Sequence, residues 1–120
     1  MDNINGFDIP PYEEESLLSK TLKFAAKIGE AGLEKVYLAY HVTRDPETPT
    51  WAKAKLGGSL AYLVMPADLI PDLTPALGFS DDIAAIAYAL FTVTAHIKSR
   101  HHDDAKNSVD GLLGRKAALD

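Results

Sequence analysis

Between Tyr62 and Asp82 the chain reads YLVMPADLIPDLTPALGFSDD, with three prolines, one glycine, four aspartates and no basic residue. Each proline fixes φ and removes a backbone donor, so no single helix runs from one end of this stretch to the other. The residues between the prolines are apolar, and the carboxylates sit at fixed points. A loose surface loop has neither property. The pattern predicts a rigid connection whose aspartates have assigned partners, set between two apolar helices.

The rest of the chain supports an all-α reading. Residues 13–43 carry Leu18, Leu22, Ala25, Leu33, Val36 and Tyr40 at spacings near three or four, the period of an amphipathic helix. Glu13, Glu14 and Glu15 open it, where the helix dipole favours negative charge. Gly29 and Gly32 mark a kink, a break or a close helix crossing. Asp45 precedes Pro46, which excludes it from helix and ends this segment. Thr48 and Pro49 are the expected N-cap and first helical residue of a second helix over 49–64. Gly57 and Ala61, four apart, allow another backbone to approach it. Thr74, Pro75 and Gly78 predict one short helical turn, and Ser80 is the expected N-cap of a third helix over 81–98. From Ile83 to Ile97 only Thr92, Thr94 and His96 are polar. A helix apolar on nearly all sides is central in a bundle or touches lipid. Its span of roughly 22 Å is shorter than a bilayer core, so the expectation is central burial. A weaker helix is predicted over 103–118, thinned by Gly111 and Gly114. The expected fold is therefore a compact antiparallel helical domain over 13–118, with three strong helices, a weaker C-terminal one and a tail at residues 1–12.

Composition removes several function classes. The chain has 120 residues, enough for one domain with its own core. It lacks cysteine, so disulfides and thiolate metal sites are excluded. A net charge of −5 argues against non-specific nucleic-acid binding. The acidic first residues do not form a secretory signal, and no apolar run reaches membrane-spanning length. The expected location is the cytoplasm, with any membrane contact peripheral at the inner membrane.

Tyr62, Pro66, Asp68, Leu69, Ile70, Pro71, Asp72, Pro75, Gly78, Asp81 and Asp82 fit the pattern Y-x-x-x-P-x-D-x-I-P-D-x-x-P-x-x-G-x-x-D-D. In this the chain resembles the YkvA-like proteins, which carry the domain of unknown function DUF1232. The resemblance extends more weakly from Leu17 to Ala105. It implies a small bacterial helical protein, some of whose relatives are membrane-associated. It assigns no activity, catalytic residue or cofactor.

Two functions follow for the acidic loop. In the first, Asp68 and Asp72 cap backbone N–H groups, Asp81 and Asp82 complement a helix dipole, and the loop is structural. The protein is then a non-enzymatic module that engages another protein or a membrane surface. In the second, the four aspartates bind Ca²⁺ or Mg²⁺, in an ion-binding protein or a small metal-dependent enzyme, although their spacing is not that of an EF-hand. Lys23, Lys27, Arg115 and Lys116 are placed to balance the loop if the first helix is continuous, and Lys53 lies at the far end. His96, His101 and His102, followed by Asp103 and Asp104, lack metal-ligand spacing and read as a solvated helix end. Tyr37, Tyr40, Tyr62 and Tyr88 read as core residues with one wet tip. No nucleophile–base arrangement or phosphate-cradling loop is present, so no residue is assigned to catalysis and no metal or cofactor is assigned.

Overall fold

The computed structural model describes residues 14–64 and 75–119. They form α1 (Glu14–Lys23), α2 (Ala25–Arg44), α3 (Thr50–Val64), α4 (Pro75–Thr92), a 3₁₀ turn (Thr94–His96) and α5 (Ser99–Leu119). Among the described residues there is no strand, so the fold is all-α. The expected tail and the centre of the acidic loop lie outside the described residues.

The first expected helix is divided. Phe24, at φ −112° and ψ 22°, separates α1 from α2. A second interruption follows within α2 at Gly29, with φ 81° and ψ 158°, a region open essentially only to glycine. Gly32 plays a different part. A Cβ there would lie 3.0 Å from Ile28 Cγ2, a tight contact within α2 itself, and 3.7 Å from Ile83 Cγ1 of α4, an ordinary packing distance, so Gly32 leaves room for Ile28 across the break at Gly29.

After Gly29, α2 is the centre of the molecule. It packs against α1, α3, α4 and α5. Val36, Tyr37, Leu38, Ala39 and Tyr40 are buried in succession, which a helix shows only when it is covered on all sides. Around it lie Leu17 of α1, Leu56, Leu60 and Leu63 of α3, Ile86, Ala89 and Leu90 of α4, and Ala105, Val109 and Leu112 of α5. Gly57 and Ala61 are buried on α3. Tyr37 and Tyr40 are core residues. The Thr21 hydroxyl lies 2.9 Å from the Leu17 carbonyl, to which it donates, so the Tyr37 hydroxyl, 2.7 Å away, donates to Thr21.

The central position expected for the apolar helix thus belongs to α2, and α4 lies at the surface. Its limits also differ from expectation. Pro75 opens it, where the missing N–H is harmless, and the helix runs on through Gly78 and Ser80. An interior glycine costs only about 1 kcal/mol, too little to end a helix already begun. It stops at Thr92, earlier than expected. The Thr92 hydroxyl donates to Ala89 O at 2.7 Å, and the Thr94 hydroxyl to Phe91 O at 2.7 Å. Such bonds compete with the helical ladder. Val93 N–H divides between Ala89 O and Leu90 O, both at 3.2 Å, tightening the chain into the 3₁₀ turn. Ile97, at φ −91° and ψ 126°, completes the break.

Candidate functional site

Two features stand out: a buried charge cluster at the α2–α3 turn and a bare apolar face on α4. The cluster begins with the turn itself. Asp45 N–H donates to Val42 O at 3.3 Å, and Thr48 N–H to Asp45 O at 3.1 Å. The Asp45 carboxylate then folds over its own turn, accepting Glu47 N–H on Oδ1 at 2.9 Å, the bond an aspartate makes two residues ahead. Thr48 does not cap α3 as expected. Its hydroxyl donates to Val42 O at 2.8 Å, and α3 begins one residue later, with Lys53 N–H on Pro49 O at 3.0 Å.

Asp45 Oδ2 turns toward the start of α5. It accepts from Arg100 Nη2 at 2.7 Å and His101 Nε2 at 2.8 Å, with Lys98 Nζ at 3.4 Å. The Asp45 and His101 side chains are 2% and 1% exposed. Glu47, at the surface, pairs with Lys98. Glu47 N–H first, then His101, Arg100 and Lys98, hold the Asp45 carboxyl well below the usual range against the opposing effect of burial. The bond with Lys98 likewise lowers Glu47, and its bond with Glu47 raises Lys98.

His101 also terminates its own helix. Lys98 N–H donates to His101 Nδ1 at 2.9 Å, and Lys98 O accepts His101 N–H at 2.9 Å. A side chain on the third helical residue that satisfies the N-cap N–H is one half of a capping box, with histidine in the place of glutamate. Because Nδ1 accepts, Nε2 carries the proton and donates to Asp45. Neither ring nitrogen is left to take a proton from a substrate. The Asp–His pair fastens the α2–α3 turn to α5 and does not act as a base.

His101 therefore corrects the expectation of a solvated helix end: it is buried, at the N-terminus of α5. The other two histidines separate from it. His96 meets Trp51 edge to face, with ring centroids 5.6 Å apart. His102 is exposed beside Lys35 and Lys106 on a shallow cleft of about 200 Å³ between α2 and α5. Among the described residues, no group of three His, Asp or Glu side chains is placed to hold a metal ion.

Of the loop residues expected to form a site, Tyr62 lies near the end of α3, and Pro75, Gly78, Asp81 and Asp82 lie on the first turns of α4. Pro66, Asp68, Pro71 and Asp72 fall outside the described residues. Tyr88, expected in the core, is 67% exposed, and Phe91, one turn on, is 76% exposed. Ala84, Ala85 and Ala95 are exposed too. Ile86, Ala89, Leu90 and Val93 face the core from the opposite side. The helix is apolar on both faces, and among the described residues only one is covered. No helix among the described residues is long and apolar enough to cross a membrane.

Residues 52–88 match the model of a family described as "Protein of unknown function (DUF1232)". That segment takes in most of α3, the acidic loop and α4 as far as Tyr88. No curated protein and no solved structure was found to match the chain. The loop pattern lies inside the matched segment, and over residues 52–88 the chain is similar to the DUF1232 family.

Proposed function

We propose that this protein is a non-enzymatic interaction module, and that it docks another protein on the outer face of α4. The exposure of Tyr88 and Phe91 carries this reading. Large aromatics one turn apart on the part of a helix that carries no charge, Ile83 to Thr92, cost solubility, and such patches on monomeric proteins mark interaction sites. Aromatic side chains also dominate the energetic centres of protein interfaces. The Asp45 cluster serves this function indirectly. It holds the α2–α3 turn and the start of α5 as one body, so that α3 and α4 present a stable surface. The cytoplasm is the compartment this reading requires, with membrane contact at most peripheral.

A photo-crosslinking residue placed at position 91 in the producing cell tests the docking surface. Position 107 on α5 serves as control, because Asn107 is exposed and α5 packs on α2 and α1. A discrete protein adduct at 91 that is absent at 107 is expected. Equal labelling at both positions, or none, contradicts the docking face.

A further inference from the structure

We infer that the occupant of the α4 face is a second copy of this chain, in a two-fold antiparallel contact of α4 with α4; this rests on the docking reading above. Three observations favour a copy of the chain itself. The first is charge. From Ile83 to Ile97 there is no Asp, Glu, Lys or Arg. Two copies can meet there without apposing like charges, although each carries a net charge of −5. A helix that lies in a lipid interface draws on Lys or Arg along its polar face. Here the nearest cations in sequence, Lys98 and Arg100, are engaged by Asp45 and Glu47.

The second is spacing. In a two-fold contact, residue i of one copy meets j of the other, and j meets i. An antiparallel pairing centred between positions 89 and 90 sets Tyr88 of each copy against Phe91 of the other, within the overlap over residues 87–92 that the end of α4 at Thr92 leaves, and Ala84 against the 3₁₀ turn at Ala95. Both aromatics then fall at the centre and the alanines at the rim. Tyr88 and Phe91 are exposed, as are Ala84 and Ala95. The hydroxyls of Thr92 and Thr94 already donate to Ala89 O and Phe91 O.

The third is area. At their exposures Tyr88 and Phe91 together offer roughly 300 Å² of aromatic surface per copy. Doubled, that is about half the area of a small specific interface, the alanines and rim supplying more. The dimer is therefore weak, with a dissociation constant in the micromolar range.

Sedimentation velocity on the full chain, from about 1 to 200 µM, tests this. The mass should rise from 13.0 kDa toward twice that value. Phe91→Glu should remain a monomer throughout while keeping its helical circular dichroism. The chain has no cysteine, so single cysteines report the register. In an oxidised mixture of Tyr88→Cys and Phe91→Cys chains, the mixed disulfide should exceed its statistical share. A monomeric wild type, a dimer that survives Phe91→Glu, or disulfides at statistical proportions each overturn the inference. If the wild type is monomeric but position 91 still cross-links to a different protein in cells, the second copy is wrong and the docking face stands. If position 91 gives no adduct either, both are wrong.

Discussion

Asp45 carries a charge in a buried place, and every lone-pair direction it uses is answered: a backbone N–H on one oxygen, and histidine, arginine and lysine on the other. Its folded-state carboxyl lies below the ordinary value of 3.8. A depressed acid contributes stability that is fully present above the unfolded value and is lost as pH falls through the folded one. Asp45→Asn is therefore expected to lower the urea midpoint clearly at pH 7, with a smaller gap from wild type near about pH 3. A gap that does not narrow in acid would contradict the electrostatic account. Glu47→Gln should have the smaller effect, since its side chain is 72% exposed. His101→Ala removes both the Lys98 cap and a partner of a buried carboxylate, and should cost about 1–3 kcal/mol by urea denaturation. None of this was legible as a site in the sequence. Asp45 reads there only as the residue before Pro46, and its partners lie more than fifty residues away. The one local signal was His101, three residues after Lys98, at the spacing of a capping box.

The helices themselves were more legible than their ends. The glycines of the first segment predict a kink, a break or a close helix crossing, and the two differ: Gly29 breaks the helix, and Gly32 leaves room for Ile28 on its own helix. Sequence alone does not tell them apart, because the difference lies in φ at Gly29 and in the space beside Gly32. The same substitution therefore has opposite signs along the chain. Gly29→Ala should cost about 1–3 kcal/mol, although nothing lies within 4 Å, because its backbone is closed to alanine. Gly58→Ala and Gly111→Ala, in regular helix with nothing within 4 Å, should each stabilise by roughly 0.5–1 kcal/mol. Thermal or urea melts of the three variants check this ordering. A neutral Gly29→Ala would remove the break at that position. The ends of α4 differ from those the sequence predicts for a related reason. Gly78 and Ser80 carry punctuation signals that a helix opened at Pro75 overrides, and the hydroxyls of Thr92 and Thr94 end it earlier than its apolar run suggests.

At the scale of the whole molecule, the all-α class followed from periodicity, but the choice of central helix did not. The apolar run Ile83–Ile97 is the most hydrophobic in the chain's second half, and burial was the natural expectation. The structure instead centres on α2, whose charged residues Lys27, Glu30, Glu34 and Lys35 precede or flank a fully covered stretch. Hydrophobicity reports how much surface wants cover, and does not say whether the chain or a partner supplies it. Leu56, wholly buried between α3 and its neighbours, marks the cost of a true core position: Leu56→Ala should lose about 2–5 kcal/mol. The central claim is that the outer face of α4 is left open by the fold. Its most direct test is the urea midpoint of the double variant Tyr88→Gln/Phe91→Gln, measured at about 1 µM, below the dissociation constant expected for self-association. Glutamine keeps helix propensity, so the account predicts a change within about 0.5 kcal/mol of wild type. A loss as large as that of Leu56→Ala would show that the chain itself covers Tyr88 and Phe91, and would contradict the docking face.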